Sequence, residues 1–230
     1  MQTLEILCLA SSIKFGGRCV AGVRLDTGEW VRPVSDTPDG TLPRRQCVVD
    51  GVTVRPLDVV RVPVRGPSPR RHQPENWTIV PAAWTLVRRV PPRSAPDLLD
   101  RWSWTGRGIF GTEDDRVHML EIGMRRRHAS LTVVRVSQPV FQVAHDGGSP
   151  RVRCAFRHRG VDYDLSVTED LERLRTLGLP ATDGRHRSQR DWYLTISLTE
   201  PYDDACFKVV AGAIPRPVGG RRTDGRPPRR

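Results

Sequence analysis

A basic, glycine-rich loop near the start of the chain carries side chains suited to holding phosphate. Lys14 and Arg18 flank Gly16 and Gly17. Glycine lets backbone N–H groups approach a phosphate, and Lys and Arg neutralise its charge. The Gly-x-x-x-x-Gly-Lys-Ser/Thr spacing of a P-loop is absent. The loop therefore predicts contacts with a nucleic-acid backbone, although a plain connection between two strands also accounts for flexible glycines.

Aromatic side chains beside polar ones are candidates for stacking on bases. The strongest is Trp30, which follows a turn and shares a short polar strand with Arg32. Asn76 and Trp77 form a second candidate pair. Each stacked base contributes roughly 1–3 kcal/mol to binding. Trp192, in contrast, heads an alternating apolar face and is predicted to be buried, as tryptophans in a chain with few aromatics often are.

The densest polar cluster in a loop lies at residues 72–76, HQPEN. A nuclease would use His or acidic residues there to activate water or hold Mg²⁺, but one His and one Glu fit no metal-ligand spacing. The acidic stretch 113–115 is interpreted as a solvated turn. No Ser-His-Asp, Cys-His or G-x-S-x-G pattern is present. The sequence therefore predicts no catalytic residue, metal or cofactor, and Arg107, in the glycine-rich loop 104–115, is a further candidate for nucleic-acid contact.

The elements that would position these side chains are mostly short strands. Apolar runs at residues 4–10 and 19–25 flank the basic loop, and further strands are predicted at 57–64, 83–90 and 129–136. Residues 151–159 and 161–167 alternate about an Arg159-Gly160 turn and predict a hairpin. Strands at 192–198 and 206–214 complete the pattern, with short helices at 96–102 and 168–177, the second entered through Thr168.

Two groups of about five short strands, each with one short helix, match the content of two OB-folds. The predicted class is all-β with minor α, as two tandem OB-like β-barrels with short helices. The predicted domains are residues 1–138 for the first barrel, 139–214 for the second, and 215–230 for a disordered, arginine-rich tail.

The charge of the chain favours a polyanionic partner. The net charge is +11 and the pI is about 10.6. Lys14 and Lys208 are the only lysines, so a compositional bias of the genome towards arginine is an alternative explanation of the positive charge. About half of the excess lies in the tail, where the arginines are Arg216, Arg221, Arg222, Arg226, Arg229 and Arg230. The folded part is therefore predicted to be only moderately basic.

The cysteines and apolar runs exclude two classes of protein. Five dispersed cysteines without a C-x-x-C pair predict reduced, buried thiols and neither a disulfide framework nor a zinc site. No apolar run is long enough to span a bilayer, and Glu5 interrupts the first one, which argues against a signal peptide. A cytoplasmic location without membrane contact is expected.

Five stretches of the sequence together resemble the bacterial dual OB-containing domain family. They are LCLASSIKFGGRCVAG (7–22), GEWVRPVS (28–35), HQPENW (72–77), RHRGVDYDLSVTE (157–169) and DWYLTISLTEPYDDACFKVVAGAI (191–214). The resemblance spans residues 4–214 and implies two OB-like barrels and, by analogy, nucleic-acid binding in phage defence or nucleic-acid repair. It transfers no catalytic residue, and fold alone does not establish function.

The sequence thus predicts a sequence-tolerant module that binds single-stranded DNA or RNA, with Lys14 and Arg18 on the backbone and Trp30 on a base. Two alternatives stay open. One is an enzyme acting on nucleic acid with loop 72–76 near its active centre. The other is a protein-interaction or sensor module of a defence system, in which the charge is incidental.

Overall fold

The computed structural model describes residues 2–124, 129–145 and 150–217. The strands are β1 (Gln2–Lys14), β2 (Gly17–Arg24), β3 (Trp30–Val34), β4 (Val48–Val49), β5 (Val52–Thr53), β6 (Asp58–Pro67), β7 (Asn76–Ile79), β8 (Thr85–Arg89), β9 (Arg116–His118), β10 (Leu131–Val136), β11 (Val140–Ala144), β12 (Arg151–His158), β13 (Val161–Val167), β14 (Gly184–Arg187), β15 (Trp192–Leu198) and β16 (Ala205–Pro215). The α-helices are α1 (Ala95–Leu99), α2 (Met119–Met124) and α3 (Leu171–Thr176). Short 3-10 turns lie at Arg44–Cys47, Pro92–Ser94, Asp100–Trp102 and Ile109–Gly111. The basic run at 125–128 and the tail beyond residue 217 lie outside the described residues.

The first barrel is closed by its long first strand. Residues 2–7 of β1 pair with β6 and residues 6–14 pair with β2, both antiparallel, and a bulge at Leu9 interrupts the register with β2. The path continues from β2 to β3, then to β7 in parallel, and back through β6. A bulge increases the bend of a strand, so that β1 can pair with both β2 and β6 and close the barrel.

The second barrel repeats this topology with a broken first strand. β10 pairs with β15, β11 pairs with β12, and residues 137–139 bend the chain between them, with Gln138 at a φ of 44°. The path then runs from β12 to β13, to β16 in parallel, and back through β15. The predicted all-β, dual OB-like class is confirmed. The predicted domain boundary at 138/139 falls in the bend between β10 and β11, which belong to the same sheet. The domain ranges 1–138, 139–214 and 215–230 stay a prediction.

Three hydrophobic clusters account for most of the interior. One fills the first barrel around Ile6, Cys8 and Val62, and a larger one fills the second barrel around Cys154, Leu165 and Leu194. The third joins the barrels, because it contains residues from β1, β2, β6, α1 and nearby loops as well as from β10, β15 and β16. Its members are Leu7, Leu9, Val23, Leu57, Val59, Val90, Ala95, Leu99, Val133, Tyr193 and Ile214. Burying this much apolar surface between the barrels stabilises one arrangement of the two.

The contact between the barrels covers the outer face of β2 and β3 in the first one. Trp30 is half-buried and packs against the clusters shared by both barrels. Arg32 reaches across to Ser130 and Ser197 of the second barrel at 2.8 and 3.3 Å. Thr195 also donates a hydrogen bond to the Leu9 carbonyl at 2.7 Å. The second barrel therefore occupies the face that OB-folds commonly use for ligands.

Most predicted elements are present, with shifts that have local causes. The 151–167 hairpin is confirmed, with Arg159 and Gly160 both at positive φ in its turn. Helix α3 begins later than predicted, because the Asp170 side chain, rather than that of Thr168, caps it by accepting from the Glu172 amide. Helix α2 and strand β14 were not predicted from the sequence, and residues 66–77 were predicted to form a loop, whereas β7 begins at Asn76. All five cysteines are free thiols; Cys19 is half-buried and the others are buried, as predicted.

Candidate nucleic-acid interface

The outer face of the second barrel is open and rich in arginine. Along β12 the side chains alternate, so that Val152, Cys154, Phe156 and His158 point inward and the intervening residues point outward. The outward positions include Arg151, Arg153 and Arg157. This alternation is the period-2 pattern of a strand with one buried face. A basic surface is therefore held rigidly by the packed interior of the barrel.

Strand β14 extends this basic surface along the edge of the sheet. It pairs with β11, which places Arg185 opposite Gln142 and Arg187 opposite Val140. Gln142 in turn lies opposite Arg153, and Arg153 opposite Ser166 of β13. One line of neighbours thus crosses four strands as Arg185, Gln142, Arg153 and Ser166. Every member of the line carries a hydrogen-bond donor.

Part of this charge is neutralised locally. Arg153 donates to Asp164 at 3.0 Å, and Arg157 lies 3.7 Å from Asp162. Arg185 and Arg187 form no ion pair with any described residue. Beside them, a groove of about 480 Å³ lies over β11, β12 and β13, lined by Gln142, Ala144, Pro150, Arg151, Val152, Arg153, Ser166 and Val167. The face can therefore receive an extended anionic chain.

The same line of neighbours continues into a cleft between the two barrels. Ser166 lies opposite Val209 of β16, and Val209 lies opposite Ser197 of β15. Val209 and Ser197 both line a cleft of about 440 Å³. Its other walls include Ile13, Lys14 and Phe15 of the first barrel and Leu198, Tyr202, Phe207 and Ala211 of the second. The arginine face and this cleft are therefore the two ends of one surface.

A charged cluster stands at the mouth of the cleft. Glu200 accepts hydrogen bonds from Lys14 at 2.9 Å, from His72 at 2.8 Å and from Arg70 at 3.4 Å. Burial alone would raise the pKa of Glu200, but the hydrogen bonds from His72 and Lys14 and the charge of Lys14 lower the pKa to about 2. Three donors from the first barrel thus bind one carboxylate of the second, and these contacts connect the two barrels at the mouth of the cleft.

The depressed pKa of Glu200 predicts an acid-sensitive contribution to stability. Because the folded-state pKa lies below the unfolded value of about 4.5, the contribution is complete above pH 4.5 and is lost as the pH falls through about 2. Glu200→Gln should lower the free energy of unfolding by about 2 kcal/mol at pH 6, with the difference from the wild type shrinking towards pH 2. Urea unfolding at a series of pH values measures it. The exposed Glu113→Gln is the matched control, and equal pH profiles for the two variants would contradict the prediction.

The structure brings together two of the residues predicted from sequence. Lys14 and Arg32 both line the cleft, but Arg32 is only 3% exposed, and its guanidinium is held by Glu75, Ser130 and Ser197. Arg18 lies in a different groove, where its guanidinium donates to Asp170 at 2.5 Å. Both arginines therefore hold the two barrels together, and their contact with nucleic acid stays a prediction.

The remaining predicted residues lie apart from the cleft. Asn76 is buried and donates to Gln73. Trp77 is half-buried against the interior of the first barrel, with the guanidinium of Arg24 5.5 Å from its ring centroid. Arg107 is exposed and paired with Glu113 at 2.7 Å. These positions do not form one surface, so a binding role for each of them also stays a prediction.

Loop 72–76, the candidate catalytic loop, is structural in its contacts. Gln73, Glu75 and Asn76 are buried, and His72 donates to Glu200. No group of three or more His, Cys, Asp or Glu within residues 2–124, 129–145 and 150–217 could hold a metal ion. The acidic stretch 113–115 lies on the surface, as predicted, although Lys208 donates to the carbonyl of Asp114 at 2.5 Å.

The residues that form the open surface were not predicted from the sequence. Arg185 and Arg187 stand in a stretch without apolar alternation, so no pattern indicated that strand β14 would carry them. Phe15 and Tyr202, the exposed aromatics of the cleft, occupy turns and were not among the predicted stacking residues. The available signal was a bulky aromatic in a turn, a place that small and polar residues normally occupy.

Among the comparisons with known proteins, the family model supports the architecture. The family model described as "Dual OB-containing domain" matches residues 4–213. A solved structure entitled "Crystal structure of the tetrameric p202 HIN2" is similar over 91% of this chain and 87% of that one, with 8% identity and a TM-score of 0.30. No curated protein matches the sequence. Among the helices of the described residues, none has the length and apolar character needed to cross a membrane.

Proposed function

The chain belongs to the dual OB-containing domain family, and from this premise we propose that it binds nucleic acid through the outer face of its second barrel. OB-folds bind oligonucleotides on the face of their second and third strands and on the adjoining loops. In the first barrel that face is β2 and β3, which the second barrel covers. In the second barrel it is β12 and β13, which stay open; β12 carries the outward arginines, and β13 presents Asp162, Asp164 and Ser166. This difference between two barrels of the same topology is the observation that carries the proposal.

The chemistry of the open face favours contacts with the backbone of a nucleic acid. Arginine guanidinium groups bind phosphate oxygens in a bidentate manner, and phosphate contacts carry no sequence information. In the sheet these arginines lie beside Gln142, Ser166, Ala144 and Val140, and Arg153 and Arg157 also pair with Asp164 and Asp162. Because phosphate contacts do not distinguish bases, we expect this face to bind many nucleic-acid sequences. A cytoplasmic role in bacterial defence or nucleic-acid processing is part of this proposal and depends only on the family resemblance.

Replacing Arg153, Arg185 and Arg187 together with alanine tests the proposal. For single strands each lost phosphate contact reduces the salt slope of log K by about 0.7, so the triple variant should lose a slope of about 2. Its affinity should fall roughly 30-fold at 0.1 M salt, if each lost contact contributes about 0.7 kcal/mol. Fluorescence anisotropy with single- and double-stranded DNA and RNA at several salt concentrations measures both quantities.

The matched control is the triple replacement of Arg88, Arg93 and Arg101, which are exposed and form no ion pair with a described residue. It changes the net charge equally but lies on the first barrel and the helical segment that follows it. Both variants are measured in the full chain and in a chain ending at Pro217, so that the arginine tail cannot supply the signal alone. Equal slopes for the two triple variants would contradict the assignment of the face.

A further inference from the structure

We propose that the cleft between the barrels holds an unstacked base of a single strand whose backbone lies on the arginine face. The inference rests on the proposed function and names the form of nucleic acid that the site selects. Its first support is continuity, since neighbouring strands lead from the basic face into the cleft through Arg185, Gln142, Arg153, Ser166, Val209 and Ser197. A single strand whose backbone binds the arginine face would therefore extend along this surface to the cleft.

Phe15 is the second support, because its position has no structural explanation. It is 79% exposed at the tip of the two-residue turn between β1 and β2. Phe15 and Gly16 have φ values of 44° and 79°, so that both are left-handed, as in a type I′ turn. Such turns favour Asn-Gly, and a bulky residue there is strained. An exposed aromatic ring at a strained position beside a cleft is the kind of outlier that indicates a function.

Tyr202 forms a similar feature on the second barrel. It is 75% exposed in the turn between β15 and β16, and its hydroxyl has no hydrogen-bond partner among the described residues. Phe15 and Tyr202 both line the cleft, one from each barrel. Bases stack on aromatic rings whatever their sequence, so two exposed rings at one opening suit a base that has left its own stack.

The size and chemistry of the cleft suit the same ligand. Its volume of about 440 Å³ is in the range of small-molecule sites, and its floor is apolar, with Leu198, Val209 and Ala211. At the mouth Lys14, Arg70 and His72 surround the single carboxylate of Glu200. Lys14 Nζ is 6.0 Å from the centroid of the Phe15 ring, which places a cation beside a stacked base, where its phosphate would lie. An apolar peptide would gain nothing from that cation or from the arginine face.

Single and combined replacements of Phe15 and Tyr202 by alanine test the inference. Each should weaken binding of single-stranded oligonucleotides roughly tenfold and leave duplex binding and the salt slope unchanged. A single-stranded oligonucleotide with one 2-aminopurine should lose fluorescence on binding to the wild type, and the double variant should abolish that change. Phe15→Trp should restore affinity, and Leu120→Ala, which removes another exposed apolar side chain, is the matched control.

The outcomes separate this inference from the proposed function. Loss of binding in the arginine variant with no effect of Phe15→Ala and Tyr202→Ala would overturn the cleft assignment and leave the face in place. Equal weakening of single strands and duplexes by the aromatic variants would also overturn it, because stacked bases cannot enter the cleft. Absence of nucleic-acid binding by the wild type at low salt would overturn the proposed function itself.

Discussion

Arg32→Ala should lower the free energy of unfolding by about 3–5 kcal/mol, the range expected when one member of a buried ion pair is removed. Arg32 Nη2 donates to Glu75 at 2.9 Å, and both side chains are almost fully buried between the barrels. The same nitrogen donates to Ser130 and Ser197. Without the guanidinium, Glu75 would keep its charge inside the protein with only the Ser130 hydroxyl as a donor among these groups.

Urea unfolding monitored by circular dichroism measures this loss. The matched control is Arg65→Ala, which breaks an exposed pair with Asp36 at 2.9 Å and should cost at most about 1 kcal/mol. The double variant Arg32→Met with Glu75→Gln should cost less than Arg32→Ala, because it leaves no unpaired charge in the interior. If Arg32→Ala were no more destabilising than Arg65→Ala, the structural role of the pair would be wrong.

The burial of Arg32 could not be predicted from the sequence, although its strand could. The WVRPV stretch was predicted to be a short strand, and it is β3. Its alternation places Arg32 on the outer face of a barrel, where an arginine would normally meet water or a ligand. Whether that face is open depends on contacts with Ser130 and Ser197, which lie 98 and 165 residues away. Such pairings leave no local pattern in a single sequence.

Local sequence patterns were sufficient to predict a strand wherever one face of that strand is buried. The 151–167 hairpin and the 192–198 strand could be predicted because apolar residues recur at every second position. β14 could not, because Gly184–Arg187 is an edge strand that contributes only the half-buried His186 towards the interior. Edge strands commonly carry charge, which prevents pairing with other chains, and this charge hides the strand from pattern analysis.

The two barrels share one topology but differ in which outer face is exposed. In each, a parallel pair (β3 with β7, β13 with β16) completes the barrel. The outer face of β2 and β3 is buried by the neighbouring barrel, whereas the face of β12 and β13 is open. The first barrel therefore acts as a support that supplies Lys14 and Phe15 to the edge of the cleft, while the second supplies the long basic face.

Docking of the barrels depends on a close approach of backbone at two bulges. Leu9 is the extra residue of the bulge in β1, and Ala211 is the extra residue of the bulge in β16. The Leu9 carbonyl points at Gly212 and accepts a hydrogen bond from Thr195 at 2.7 Å. A bulge changes the direction of the backbone groups beside it, which explains how a carbonyl of one barrel reaches the other.

Gly212→Ala should therefore lower the free energy of unfolding by about 3 kcal/mol, near the upper end for overpacking of a rigid interior. A Cβ at this position would lie 2.1 Å from the Leu9 oxygen and 3.0 Å from the Ala10 Cα. Both obstacles are backbone atoms, so no side-chain rotation relieves the clash, and the barrels must separate. Gly66→Ala is the control, because its Cβ would meet nothing within 4 Å. Chemical denaturation compares the two, and limited proteolysis at native conditions should cut only the Gly212 variant faster than the wild type. Equal stability of both variants would mean that the barrels are not held together at this contact.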